Sequence, residues 1–272
     1  MRKHFSTVIL IFVFLIGLSL LLYPSLSNYW NSFHASRAVA SYSEEVANLD
    51  EEEYRKMLEA AKEYNRTLLG RGNQYTLSEE QKKEYNDLLN VGGTGIMGYI
   101  EIESLVVSLP IYHGTDDAVL QIGVGHLDWT SLPVGGEGTH CVISGHRGLP
   151  SAKLFTNLDK MSVGDTFVLR VLDEVLTYEV DQILIVEPDD TEALQIEQGK
   201  DLCTLVTCTP YGINTHRLLV RGHRVENAIA SRLAHVTSDA VQIEPLIIAS
   251  IIAVPLLLLL LIKLLIPKRR KK

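Results

Sequence analysis

The residues able to do chemistry gather in one stretch, residues 204–222. Apolar and β-branched residues run up to Thr207, Pro210 and Gly212 interrupt them, and Leu218, Leu219 and Val220 resume the pattern. That reads as two strands joined by a loop longer than the tight hairpin types. Cys208 at the end of the first strand and Arg217 at the start of the second then face each other across the loop mouth. A thiolate is the nucleophilic form of cysteine, and a fixed positive charge beside it favours that form and can later hold a developing oxyanion. This is a layout for covalent catalysis, short of its proton carrier.

Nine histidines compete for that role. His4 lies at one end of the chain, and His34 and His235 flank apolar runs, so these are set aside. His216 adjoins Arg217 on the same loop as the thiol. His223 shares a strand face with Arg217 but sits three pleats away, and His113, His126 and His140 read as ordinary surface or core residues. His146 stands out because Val142-Ile143-Ser144 reads as a strand that Gly145-His146-Arg147-Gly148 breaks. Its imidazole is then on a strand-end loop, where functional groups concentrate. Patterning by itself still leaves His146 one candidate among several.

Cysteine occurs three times, at 141, 203 and 208, and an odd count leaves at least one free thiol. Cys141 and Cys203 lie within apolar runs and read as small buried residues. A Cys203–Cys208 disulfide is disfavoured, because an odd separation along one strand points the side chains to opposite faces.

Two continuous apolar runs account for part of the 46% hydrophobic content. Residues 5–22 carry no charge and follow Arg2 and Lys3; residues 246–262 form a second run. Each is long enough to span a bilayer, which takes about 20 mainly apolar residues. Ala38-Val39-Ala40 resembles a signal-peptide cleavage site but lies far beyond the first run, so an uncleaved anchor is the preferred reading. The basic block at 268–272 follows the second run and belongs in the cytoplasm, which places both termini inside and the middle of the chain outside. The net charge is −8, and the two terminal segments hold eight basic residues and no acidic ones, leaving −16 on the exported part. Nucleic acid is excluded as a partner on that ground.

Between the runs the texture changes once. Residues 41–70 carry Tyr54, Met57, Leu58, Ala61, Tyr64 and Leu68 at three- and four-residue spacing, an amphipathic helix with Ser43 or Asp50 as its cap. Residues 78–89 read as a second helix capped by Ser78. After Gly92-Gly93 come at least seven short β-rich runs, at 97–102, 105–111, 140–144, 166–171, 176–186, 202–208 and 217–224, with short helices expected at 116–121, 152–158 and 191–198. That spacing predicts an all-β barrel or sandwich. The expected organisation is an N-terminal tip and membrane span (1–24), an exported helical segment serving as spacer or lid (25–91), a β-rich catalytic domain (92–232), and a linker, second span and basic tail (233–272).

The segment Ile143-Ser144-Gly145-His146-Arg147-Gly148-Leu149-Pro150, taken with Thr204-Leu205-Val206-Thr207-Cys208-Thr209-Pro210-Tyr211-Gly212 and His216-Arg217-Leu218-Leu219-Val220-Arg221-Gly222, resembles the sortases, most closely the class C, pilin-polymerising ones. The resemblance implies an eight-stranded barrel, Cys208 as nucleophile, His146 as acid and base, Arg217 as stabiliser of substrate and oxyanion, and no metal or organic cofactor. Backbone near Thr207 would complete the oxyanion site. The implied substrates are pilins or surface proteins bearing an LPXTG-like signal, and the acceptor is a pilin lysine amine or a peptidoglycan amine. Many class C members carry a lid anchored by an Asp-Pro-aromatic tripeptide. None occurs between residues 41 and 98, so either that lid is lacking or another residue of the helical segment serves. Two other classes stay in view: a cysteine hydrolase with water as acceptor, against which the lack of an obvious Asn or Asp orienter counts, and a non-catalytic adhesion module.

Overall fold

Alternation of side chains along the β-rich runs resolves into strands that close on themselves. The computed structural model describes residues 2–69 and 76–227, together with Pro255. Its strands are β1 (Ile96–Ile102), β2 (Val107–His113), β3 (Val124–His126), β4 (Thr139–Ser144), β5 (Thr166–Val171), β6 (Glu174–Val186), β7 (Asp201–Thr209) and β8 (His216–Val225). They form a closed barrel in the order β1-β2-β3-β4-β7-β8-β6-β5. Closure settles the choice between barrel and sandwich. The strand missing from the seven sequence runs is β3, whose three residues are too few to show a period of two.

Interior positions alternate with exterior ones. Cys141 and Ile143, Cys203 and Leu205, Leu218 and Val220 point into the main core with Phe167, Leu169, Leu176 and Tyr178. The other faces of β4, β7 and β8 contribute Val142, Val206 and Leu219 to a second cluster, covered by Leu194. β4 and β7 pair in parallel and are apolar on both faces, which explains their unbroken hydrophobic runs. Of the expected short helices, 116–121 contains one, α4 (Asp117–Leu120), whereas the other two stretches supply only 3-10 turns, Leu158–Lys160 and Glu192–Leu194.

Three helices precede the barrel: α1 (Arg2–Ala47), α2 (Glu51–Leu68) and α3 (Glu79–Asp87). The expected helix over 41–70 is broken, because Asp50 closes a capping box with Glu53 and starts α2 afresh. Ser78 caps α3 in the same way through Gln81. The described apolar part of α1 is long and apolar enough to cross a membrane by length and composition, and none of it is buried against the barrel. The second apolar run, at 246–262, and the basic block after it lie outside the described residues.

Strand directions define two barrel ends. β4 and β7 run in parallel toward Ser144 and Cys208, and β8 starts from that same end. α2 and α3 pack at the other end. There Tyr54 donates to Glu174 Oε1 (2.8 Å), and Asn65 exchanges two hydrogen bonds with the Leu132 backbone (3.0 and 2.7 Å). The Tyr85 hydroxyl meets His126 Nδ1 at 2.9 Å in that region as well. α2 and α3 thus seal the end remote from Cys208.

Candidate active site

Cys208 and Arg217 are direct partners in the antiparallel register of β7 and β8, one residue before Thr209 meets His216. Opposed residues in such a pair have Cα atoms about 4.5–5.5 Å apart, so the two side chains share one local surface. The third group comes from β4. Its parallel register with β7 reaches Ser144 opposite Val206, and the Gly145 N–H then donates to the Val206 carbonyl at 3.0 Å. Continuing that register two residues past the end of β4 puts His146 on the loop at the same rim as Cys208.

Alternation decides which way these side chains face. Cys203, Leu205 and Thr207 point inward along β7, so Cys208 points outward; His146 lies two residues beyond β4, on the loop that leaves its end. On β8, Leu218 and Val220 are interior and Arg217 is exterior. Cys208 and Arg217 therefore stand on the outer face of paired strands at one rim, and the loop bearing His146 leaves β4 at that rim. Below them the same face is floored by Val142, Val206 and Leu219, with Leu184 and Val186 of β6 packed against that floor. The arrangement presents a half-buried thiol, an imidazole and a guanidinium at the head of an apolar strip.

Local packing fixes the loop that carries His146. A Cβ on Gly145 would meet the Phe155 ring at 2.7 Å and Val124 at 2.9 Å, so only glycine lets the chain leave β4 this closely packed. Gly148 has φ +75° and lies under the Tyr211 ring. The Phe155 N–H donates to the His146 carbonyl (3.1 Å), and Thr207 Oγ1 donates to the Gly145 carbonyl at 2.7 Å. The Thr207 hydroxyl is thus buried and used as a clamp, which leaves only its backbone to face an oxyanion.

Among the described residues no hydrogen bond engages the His146 ring and no carboxylate pairs with Arg217, whose Nη1 contacts only the Asn214 and His216 carbonyls (3.4 and 3.2 Å). The competing histidines are accounted for. His113, His126 and His140 are engaged at both ring nitrogens. His216 pairs with Glu187 at 3.2 Å, and His223 lies 4.0 Å from Asp181 at the far end of β8. Cys141 and Cys203 are opposed interior residues of β4 and β7, both free thiols, and burial pushes the Cys203 thiol well above its ordinary pKa.

One residue escaped the sequence reading. Arg147, directly after His146, donates to Thr209 Oγ1 (3.2 Å), pairs with Asp159 (2.5 Å) and lies over the Tyr211 ring. It ties the His146 loop to the end of the strand that carries Cys208. Its place in Gly145-His146-Arg147-Gly148 was visible, but its partners are 12 to 64 residues away in sequence and leave no local trace.

No group of three or more His, Cys, Asp or Glu able to hold a metal ion occurs among the described residues. Comparison with known proteins gives a consistent result. Residues 100–225 match the sortase domain family model. Sortase D of Bacillus subtilis is 33% identical over 131 residues, which are 47% of this chain and 63% of that protein. The chain therefore spans somewhat less than two thirds of that curated relative. The crystal structure of sortase C1 from Streptococcus agalactiae is similar with a TM-score of 0.69 and 52% identity, over 71% of this chain and all of that one. A Streptococcus pneumoniae sortase C structure, described with respect to catalysis and pilin substrate specificity, matches with a TM-score of 0.63 and 45% identity over 70% of this chain and 97% of that one.

Proposed function

Because this chain belongs to the sortase family, we propose that it is a membrane-anchored cysteine transpeptidase that joins an LPXTG-like sorting signal to a lysine amine of a pilin subunit. The observation that carries the reading is the pairing of Cys208 with Arg217 on the outer face of β7 and β8, at the rim where the loop bearing His146 leaves the neighbouring β4. The pilin role rests on the likeness to sortase C structures, one of them described for its pilin substrates.

In the proposed reaction the Cys208 thiolate attacks the threonine carbonyl of the signal. The carbonyl oxygen becomes an oxyanion, held by the Arg217 fork and by backbone N–H groups around Thr207 and Cys208. An unpaired guanidinium suits that task, since a planar fork stays charged and matches oxygen acceptors. Collapse breaks the Thr–Gly C–N bond, His146 gives its proton to the departing glycine amine, and an acyl thioester remains on Cys208. The lysine amine then attacks the thioester, His146 takes a proton from it, and the thiolate leaves. Covalent catalysis divides one amide exchange into two acyl transfers, and His146 changes from acid to base between them. The reading places the catalytic barrel outside the cell, with α1 as one span and residues 246–262 as the second.

Mass spectrometry of the protein with an LPXTG-type peptide, followed by a pilin-derived lysine peptide or a glycine-type amine, tests the proposal. A thioester on Cys208, absent from Cys208→Ala and resolved by the lysine peptide, is the expected result. Resolution only by the glycine-type amine would move the acceptor to peptidoglycan, and resolution only by water would make the protein a hydrolase.

A further inference from the structure

The docking of α1 says which barrel end its apolar half approaches. Near its C-terminal end the helix is fixed at the sealed end of the barrel: Tyr42, 2% exposed, donates to the Met97 carbonyl (3.0 Å) and accepts from the Leu172 N–H (2.7 Å). Ala35 is buried in the main core cluster. Earlier in the helix, Asn31 Nδ2 donates to the Ser151 carbonyl (2.8 Å), and Asn28 Oδ1 accepts from the Lys153 N–H (2.9 Å). Residues 151–153 form the outer turn of the loop that begins at His146, since Phe155 N–H returns to the His146 carbonyl and Gly148 N–H to Thr156 Oγ1. The helix therefore runs along the barrel from the catalytic rim to the sealed end, with its apolar half projecting past the catalytic rim.

The spacing is short. The uncharged run ends at Leu22, six residues before Asn28, which is about 9 Å of helix at 1.5 Å per residue. Tyr23, Tyr29, Trp30 and Phe33 are exposed along the same stretch, the composition of a bilayer interface, where amphipathic rings sit at headgroup level. Pro24 lies inside α1 and permits a bend there, but a proline kink does not reverse a helix.

Resting on the membrane-anchored transpeptidase reading, we propose that α1 holds the barrel with its catalytic rim toward the lipid bilayer, at the height of the headgroups, so that the enzyme engages its signal only within about 10 Å of the surface from which the substrate emerges. The surface involved is residues 23–33 of α1 with the 149–153 turn, and the partner is the lipid headgroup layer. A peptide free in solution reaches the outer-face strip from any direction. A bilayer-tethered signal reaches it only if its height above the membrane matches the rim.

The test uses the full chain in phosphatidylcholine vesicles. Trp30 and Trp129 are the only tryptophans, so quenching by lipids brominated near the headgroup end of the acyl chain, lost in Trp30→Phe, reports the depth of α1. A seven-residue alanine insert between Ser27 and Asn28 adds two helical turns, about 10 Å, while nearly preserving phase. The insert is expected to abolish Trp30 quenching, leave cleavage of a soluble LPXTG-type peptide within twofold, and lower cleavage of the same peptide on a short bilayer tether at least tenfold. A tether lengthened by about 10 Å should restore that loss. Absence of Trp30 quenching in the unmodified chain, or equal cleavage of the short-tethered peptide by both proteins, overturns the orientation. Failure of the unmodified protein on the soluble peptide would instead defeat the transpeptidase reading, so the two failures are distinguishable.

Discussion

Replacing Arg147 by alanine should reduce catalysis without touching any of the three groups proposed to react. The side chain is 9% exposed and makes three contacts that bind the His146 loop to the end of β7. The ion pair with Asp159, whose own side chain is 43% exposed, is discounted for solvent to about 0.5–1 kcal/mol. The hydrogen bond to Thr209 adds about 1 kcal/mol and the contact with the exposed Tyr211 ring about 0.5–1 kcal/mol. Together they hold the loop by roughly 2–3 kcal/mol. At 1.4 kcal/mol per factor of ten, that corresponds to a loss of up to roughly 30- to 150-fold in the population of the aligned loop, and hence in kcat/KM. Arg147→Lys keeps a charge for Asp159 but loses the fork, so it should fall between alanine and wild type. Steady-state cleavage of an LPXTG-type peptide by the three proteins measures this, with melting curves beside it. A loss carried by kcat with a small change in Tm fits a loop that opens locally. Alanine within threefold of wild type, or a loss confined to KM, would refute the positioning role.

Further expectations concern the site and the scaffold. Arg217→Ala should lower kcat about 10²–10³-fold, the scale for losing an oxyanion donor, with Arg217→Lys recovering only part of it in the same peptide assay. Gly145→Ala should destabilise the barrel by about 1–3 kcal/mol, read by chemical denaturation, because Phe155 and Val124 must both give way. Tyr42→Phe removes two buried hydrogen bonds and should cost about 1–3 kcal/mol, with α1 amide exchange near residue 42 rising. Burial holds the His113 and His140 pKa values below the ordinary 6.5. Just below that pH the unfolded chain binds protons that the folded chain refuses, so stability should be full above about pH 6.5 and fall as the pH drops through the folded values. Denaturation midpoints at pH 7.5, 6 and 5 check the sign.

The sequence was most legible where a period or a cap is local. The long strands declare themselves by alternation, and Ser78 announces α3 through Gln81. What stayed hidden depends on partners distant in the chain. β3 is three residues long and exists because β2 and β4 flank it. The continuity of α1 through residue 47, and the break before α2, follow from docking on the barrel and from the Asp50 capping box, neither of which the amphipathic spacing of residues 41–70 distinguishes. Thr207 shows the same limit inside the site. Nothing local reveals that its hydroxyl turns inward onto the Gly145 carbonyl, a partner 62 residues away in sequence.

A physical criterion separates the groups proposed for chemistry from others of their kind in this barrel. His126 is held by the Tyr85 hydroxyl and the Ser131 carbonyl, and His140 by the Gln195 carbonyl and Thr204, so neither ring can exchange a proton without giving up a buried hydrogen bond. Arg170 spends its charge on Glu101, and Arg221 on Asp181 and Glu197. His146 and Arg217 have no such commitments among the described residues, and Cys208 is the half-buried thiol of the three. A buried polar group left unpaired is costly, but at a half-exposed rim water meets that cost until substrate arrives. Substrate then supplies the partners the protein withholds: an amine for the imidazole, a carbonyl oxygen for the guanidinium. The proposed site therefore sits where the strands run out of partners together, at the rim opposite the end that α2 and α3 seal.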